Sequence, residues 1–141
     1  MALVISKKTT RSVPIEAKEP LDGDKVLVHR FDVEIEIVDK AIWKGISERW
    51  DELSFLVRTK PESLSDADLA EARESITVVA APYIKNITPL LDAQNQPIAF
   101  SPEVLDAILA ESWLQQPIAD AFMAVQRGLT SADYKKARRG N

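Results

Sequence analysis

The chain contains no cysteine, a single histidine and only four glycines among its 141 residues. Without cysteine there can be no disulfide, thiolate metal ligand or thiol nucleophile, a composition that suits a reducing compartment. The lone His29 lacks the second histidine or cysteine cluster that a zinc site requires, so it reads as a structural or surface residue. The glycines, at 23, 45, 128 and 140, are too scattered for a GxxxxGKS/T phosphate loop or a GxGxxG turn, and no GxSxG elbow is present. Long apolar runs are missing too: Ala2 to Ile5 is far shorter than a signal peptide's hydrophobic region or a membrane span. Eighteen basic against 22 acidic residues leave a net charge of −4, which argues against a polyanion such as duplex DNA as the main partner.

What remains is enough for one core. An apolar content of 45% in 141 residues supports a single domain over 1–141, with 1–10 and 130–141 expected to be flexible. Val13, Ile15 and Ala17 alternate with other residues, Pro20-Leu21-Asp22-Gly23 marks a turn, and a second alternating run starts at Lys25. This pattern predicts a β-hairpin. In the second run Val26 and Val28 share one parity while Phe31, Val33, Ile35 and Ile37 share the other, which predicts a bulge near His29 and Arg30. Asp32, Glu34 and Glu36 fall on the opposite, solvated face.

From Asp39 to about Arg58 the spacing of Trp43, Ile46, Trp50, Leu53 and Val57 predicts a helix with one apolar stripe. Two tryptophans on that stripe read most simply as core residues covering a sheet face; an exposed partner groove is the sharper alternative. Pro61 ends the helix, and Ser65 is the expected N-cap of the next, with Asp66 and Asp68 favourable in its first turn and Leu69, Ala72, Ile76 and Val79 on its inner face. Pro82 should stop it. The stretch from Ile84 to Phe100 has no helical period, and the polar interval from Asp92 to Pro97 predicts a small hairpin or ordered loop.

Ser101-Pro102-Glu103 is a strong helix start, with Leu105, Ile108 and Leu109 on the buried side. A break near Ser112 or Gln116 is expected because Pro117 suits the first turn of a new helix, whose face is lined by Ile118, Phe122 and Val125 and closed by Gly128. The fold class is therefore α+β: an N-terminal hairpin or small antiparallel sheet packed against about four α-helices. Carboxylates are spread over helix starts, turns and polar strand faces, so no paired general acid and base stand out, and a non-catalytic protein is expected. No cofactor or metal ligand set is visible. Candidate partner-binding residues are the large aromatics Trp43, Trp50, Trp113 and Phe122 and the basic tail Lys135, Lys136, Arg138 and Arg139.

Ile87-Thr88-Pro89-Leu90-Leu91-Asp92, followed by Gln96-Pro97-Ile98-Ala99-Phe100-Ser101-Pro102-Glu103 and the Pro117 to Gly128 helix, resembles the tail assembly chaperones of long-tailed bacteriophages. Phe31-Asp32-Val33-Glu34-Ile35 leading into a helix is similar as well, so the resemblance spans most of the chain. It implies a protein of the host bacterial cytoplasm, from a phage or prophage, that binds the tape-measure protein and tail-tube subunits during tail assembly. Long helical tape-measure chains suit an apolar groove. The resemblance also implies a longer, frameshifted form of the same protein, and Lys135-Lys136 is compatible with an A-rich slip site; a homo-oligomer is a separate expectation. Two other classes fit the same residues. One is a structural tail or head-tail connector subunit retained in the virion; the other is a regulatory module whose basic tail touches nucleic acid with strong salt dependence.

Overall fold

The alternation at Val13, Ile15 and Ala17 becomes strand β1 (Thr10–Pro20), which pairs antiparallel with β2 (Val26–Glu36) in an unbroken register from Thr10 opposite Glu36 to Pro20 opposite Val26. The structure, a computed structural model, describes residues 2–3, 9–73, 76–130, 132–134 and 136. At the hairpin tip Gly23 (φ 70°) and Asp24 (φ 62°) take the left-handed conformation that glycine adopts freely and aspartate tolerates. The register shows no bulge at His29 or Arg30, against expectation. Val26, Leu27 and Val28 are all exposed, so this end of the hairpin has no core that would enforce alternation. The irregularity lies instead on β3 (Ile84–Thr88), where Lys85 is an extra residue: Glu34 faces Asn86 but Ile35 faces Ile84. That extra residue turns both Ile84 and Ile87 inward, which is why the stretch shows no simple period.

The sheet order is β1-β2-β3, and only one face is dry. Val13, Ile15, Ala17, Val33 and Ile35 are buried there, while Ser12, Pro14, Glu16, Lys18 and Asp32 on the other face are exposed, as the period of two requires. Helix α1 (Lys40–Thr59) starts at Asp39, whose side chain accepts from the Ala41 amide. Helix α2 (Asp66–Arg73) starts at Ser65, whose Oγ accepts from the Asp68 amide at 3.1 Å, and α3 (Ile76–Ala80) runs into a single 3-10 turn at Ala81–Tyr83 that contains Pro82. On α3 it is Thr77 and Ala80 that are fully buried, with Val79 only partly so; the side chain of Ile76 lies outside the described residues.

Helices α4 (Pro102–Leu109) and α5 (Ser112–Gln126) follow. Ser101 caps α4 as its sequence indicates, through Oγ and the Val104 amide at 3.2 Å. The break does fall just before Ser112, but Pro117 sits inside α5 rather than in its first turn. The helix continues through it because neighbouring packing compensates for the amide that proline cannot donate to the Trp113 carbonyl. Every residue from Ile118 to Val125 is buried, so α5 is the central helix, enclosed on all sides rather than along one face. It packs on the inner face of the sheet and on α3 and α4.

The α1 stripe does not cover the sheet. Trp43 meets the Phe122 ring edge-on at 5.7 Å, Leu53 is buried, Ile46 and Trp50 face a cleft shared with α2 and α3, and Val57 is exposed. Gln126, at the end of α5, accepts from the Val38 amide and donates to the Glu36 carbonyl, each at 2.8 Å, tying the end of β2 to the central helix. Gly128 (φ 70°) closes α5 as expected. The terminal segment is not wholly free: Thr130 accepts from the Asp133 amide, and Tyr134 packs on the core beneath the Arg127 guanidinium, 5.6 Å from its ring. At the other end Thr10 already belongs to β1. The rest of 1–10 and 130–141, other than 2–3, 9, 130, 132–134 and 136, lies outside the described residues.

Candidate partner-binding groove

β3 is shorter than β2 and ends at Thr88, opposite Asp32, so among the described residues the distal half of β2 has a neighbouring strand on one side only. Pro89 then leads the chain into a tight turn. Asp92 builds that turn: its Oδ1 accepts from the amides of Gln94 and Gln96, both at 2.9 Å, and its carbonyl accepts from Asn95 at 3.0 Å. Asn95 adopts φ 60°, a conformation its side chain tolerates, and the Leu91–Pro97 bridge with the Ile98 amide to Leu90 carbonyl bond closes the loop. Of the two forms expected, a small hairpin or an ordered loop, the segment takes a tight loop closed by a single antiparallel bridge, and the Asp92 carboxylate is committed to holding it.

Between this turn, distal β2 and the α4–α5 corner lies an open groove of about 500 Å³. Its walls are Val28 to Phe31 on one side and Pro89 to Asp92 with Asn95 on the other; Ile87, Ile108, Trp113 and Leu114 complete the lining. The corner is held by Gln115, whose Nε2 donates to the Leu109 carbonyl at 2.8 Å. This brings the Trp113 ring to 5.0 Å from His29, tilted by 32°, while the His29 Nε2 is 2.9 Å from Glu19 Oε1 across the hairpin. The histidine therefore acts structurally, orienting an aromatic wall. No group of three or more histidine, cysteine, aspartate or glutamate side chains that could hold a metal occurs among the described residues.

The expected partner-binding residues separate. Trp113 lines the groove; Trp50 faces a different cleft of about 300 Å³ between α1 and α2–α3; Trp43 is half-buried against Phe122. Phe122 is wholly buried between Trp43 and Tyr83, so it is a core residue rather than part of an exposed surface. Lys136 is exposed, and Lys135, Arg138 and Arg139 lie outside the described residues. The groove residues His29, Leu90, Leu91 and Ile108 were not among the partner-binding residues expected from sequence. The available signal was the unequal length of the apolar runs: the one before Pro89 is too short to flank the whole second strand of the hairpin.

The cleft at Trp50 is closed by charge. Arg49 donates to both carboxylate oxygens of Glu71, at 3.1 and 3.0 Å, and to Asp68 at 3.2 Å. Its hydrogen bonds hold the Glu71 carboxyl below the ordinary range and raise the guanidinium above its own. A depressed carboxyl contributes stability above its unfolded value of roughly 4.3 and loses it as pH falls through the lower folded value. Arg49→Met is therefore expected to move the Glu71 titration midpoint upward and remove the acid-dependent part of α1–α2 docking. Carboxyl NMR titration checks this, and an unmoved midpoint would refute the pairing.

Comparison with protein families, curated proteins and solved structures gives no match.

Proposed function

We propose that the chain is a non-catalytic assembly chaperone of a long-tailed phage or prophage, which binds the tape-measure protein in the host cytoplasm and keeps its apolar surface covered until the tail polymerises. The observation that carries this reading is local. Pro89 to Asp92, part of the segment on which the resemblance rests, line one groove with Trp113 above the buried Ile87, and this open lining supports a binding role for the segment. An apolar groove rimmed by polar groups suits protein recognition through anchoring side chains. Among the described residues no helix is long and apolar enough to cross a membrane.

The test is co-expression with the product of a neighbouring tape-measure gene. The expected result is a soluble complex that elutes together on sizing. Binding should also shift the emission of Trp113 in a protein carrying Trp43→Phe and Trp50→Phe. Equal solubility of the tape-measure protein with and without this chain, and no joint elution, would refute the reading.

A further inference from the structure

The direction of the backbone groups on β2 can be read from the hydrogen bonds at both ends of the hairpin. The Ile37 amide donates to the Thr9 carbonyl and the Leu21 amide donates to the Lys25 carbonyl, so odd-numbered residues of both strands turn their amides and carbonyls toward each other. Even-numbered residues consequently turn theirs away. On β1 these are Thr10, Ser12, Pro14, Glu16, Lys18 and Pro20, and the two prolines remove donors from an edge that another strand would otherwise extend.

On β2 the outward-turned residues form a row from Val26 to Glu36, and the row divides into parts. At its proximal end Gln126 donates to the Glu36 carbonyl and accepts from the Val38 amide. In the middle Glu34 and Asp32 pair with β3. At the distal end Val26, Val28 and Arg30 have no strand on this outward edge among the described residues, and no proline interrupts them. The space beside Val28 and Arg30 is the groove itself, which Trp113, Ile108 and Leu114 line beneath the sheet's inner face. One sheet edge is thus guarded, while the other opens onto an apolar slot along the line a longer β3 would take.

We propose that this slot accepts an extended segment of another protein as an added β-strand, hydrogen-bonded to Val26, Val28 and Arg30 and carrying an apolar side chain at every second position to pack on Trp113. The backbone pattern selects the occupant's conformation: a helix keeps its amides and carbonyls internal and cannot satisfy this edge, whereas a strand presents both. Side chains between the apolar ones project to the solvated face beside Arg30 and Asp32, so they are polar. The proposal deepens the chaperone reading by naming the form of client recognised, an extended rather than a helical segment.

The probe is a soluble eight-residue peptide alternating valine with threonine and flanked by lysines. Its counterpart carries N-methyl groups on the amides of one edge. Amide hydrogen exchange followed by NMR should show new protection at Val26, Val28 and Arg30, with none at Glu16 or Lys18. The N-methylated peptide and the variant Val28→Pro should each bind at least about tenfold more weakly, the equivalent of one or two hydrogen bonds. Proline at 28 removes an outward donor only, as Pro14 does on β1, so the hairpin should persist; circular dichroism and the exchange pattern of β1 establish that it does. Trp113→Ala, which leaves the edge intact, should also weaken binding.

Protection at Glu16 and Lys18 instead, or equal binding by the N-methylated peptide, would overturn the proposal. So would a second copy of this chain filling the slot, seen as a dimer that Val28→Pro makes monomeric. The two readings fail separately. A Val28→Pro protein that still solubilises the tape-measure protein refutes strand addition and leaves the chaperone reading standing. Peptide protection without any effect on the tape-measure protein does the reverse.

Discussion

Phe122→Ala is expected to destabilise the protein by about 3–5 kcal/mol, the range seen when a buried aromatic ring is truncated in a packed core. Phe122 is completely buried, with Trp43 edge-on at 5.7 Å and Tyr83 stacked at 6.0 Å. The loss has two sources: the transfer free energy of the ring and the cavity it leaves. That cavity cannot collapse readily, because Ile118 to Val125 are buried all round and α5 is held by the sheet on one side and by α3 and α4 on others. Domains of this size are stable by roughly 5–15 kcal/mol, so the variant should retain only part of its margin. Urea denaturation measures it through the midpoint at constant m-value. Phe122→Leu keeps most of the volume and should cost less. If Phe122→Ala left the midpoint unmoved and weakened only partner binding, the ring would belong to a surface after all.

That expectation reverses the role which sequence alone suggests for this residue, and the reason is physical. An amphipathic reading of α5 looks for one apolar face and finds Ile118, Phe122 and Val125. The alanines at 119, 121 and 124 look neutral to such a reading, yet their small size is what allows neighbours to approach from every side. Local rules worked where the chemistry is local: the caps at Asp39, Ser65 and Ser101 and the glycine at 128 are decided within a turn of chain. They failed where the outcome depends on what arrives later. Whether Val26 and Val28 needed a bulge depended on how far the helical layer reaches along the hairpin, and the lodging of Pro117 inside α5 depended on the packing around it.

The groove was partly legible for the same reason. Asp92 to Pro97 announces a turn, and the turn forms. That its wall stands beside a stretch of β2 paired on one edge only, among the described residues, is a matter of relative strand length, which emerges only when β3 is seen to join the sheet and stop at Thr88. Trp113 belongs to the groove because the α4–α5 corner points it at His29; Trp43 and Trp50, on a more conspicuous stripe, are spent on Phe122 and on the cleft beside α2.

Gln126→Met is expected to cost about 2–4 kcal/mol, since it leaves two partly buried backbone groups without a partner at roughly 1–2 kcal/mol each. The side chain joins elements far apart in sequence, accepting from the Val38 amide and donating to the Glu36 carbonyl at 2.8 Å. Methionine fills similar volume and keeps the methylene packing, so the loss reports the hydrogen bonds rather than a cavity. Gln126→Glu separates the two bonds. An ionised carboxylate still accepts from Val38 but turns a second acceptor toward the Glu36 carbonyl, so at neutral pH this variant loses one bond and gains a repulsion. Protonation restores a donor, so Gln126→Glu should regain stability relative to Gln126→Met as pH falls through the carboxyl range. Unfolding midpoints for both variants at pH 7 and at about pH 4, which span the carboxyl range, decide it. Identical pH responses would mean that the amide is not clamping the strand. Because these bonds satisfy the proximal end of the same β2 edge whose distal end opens onto the groove, their loss should also raise amide exchange at Val38 while Val26, Val28 and Arg30, which have no strand on that edge among the described residues, stay unchanged.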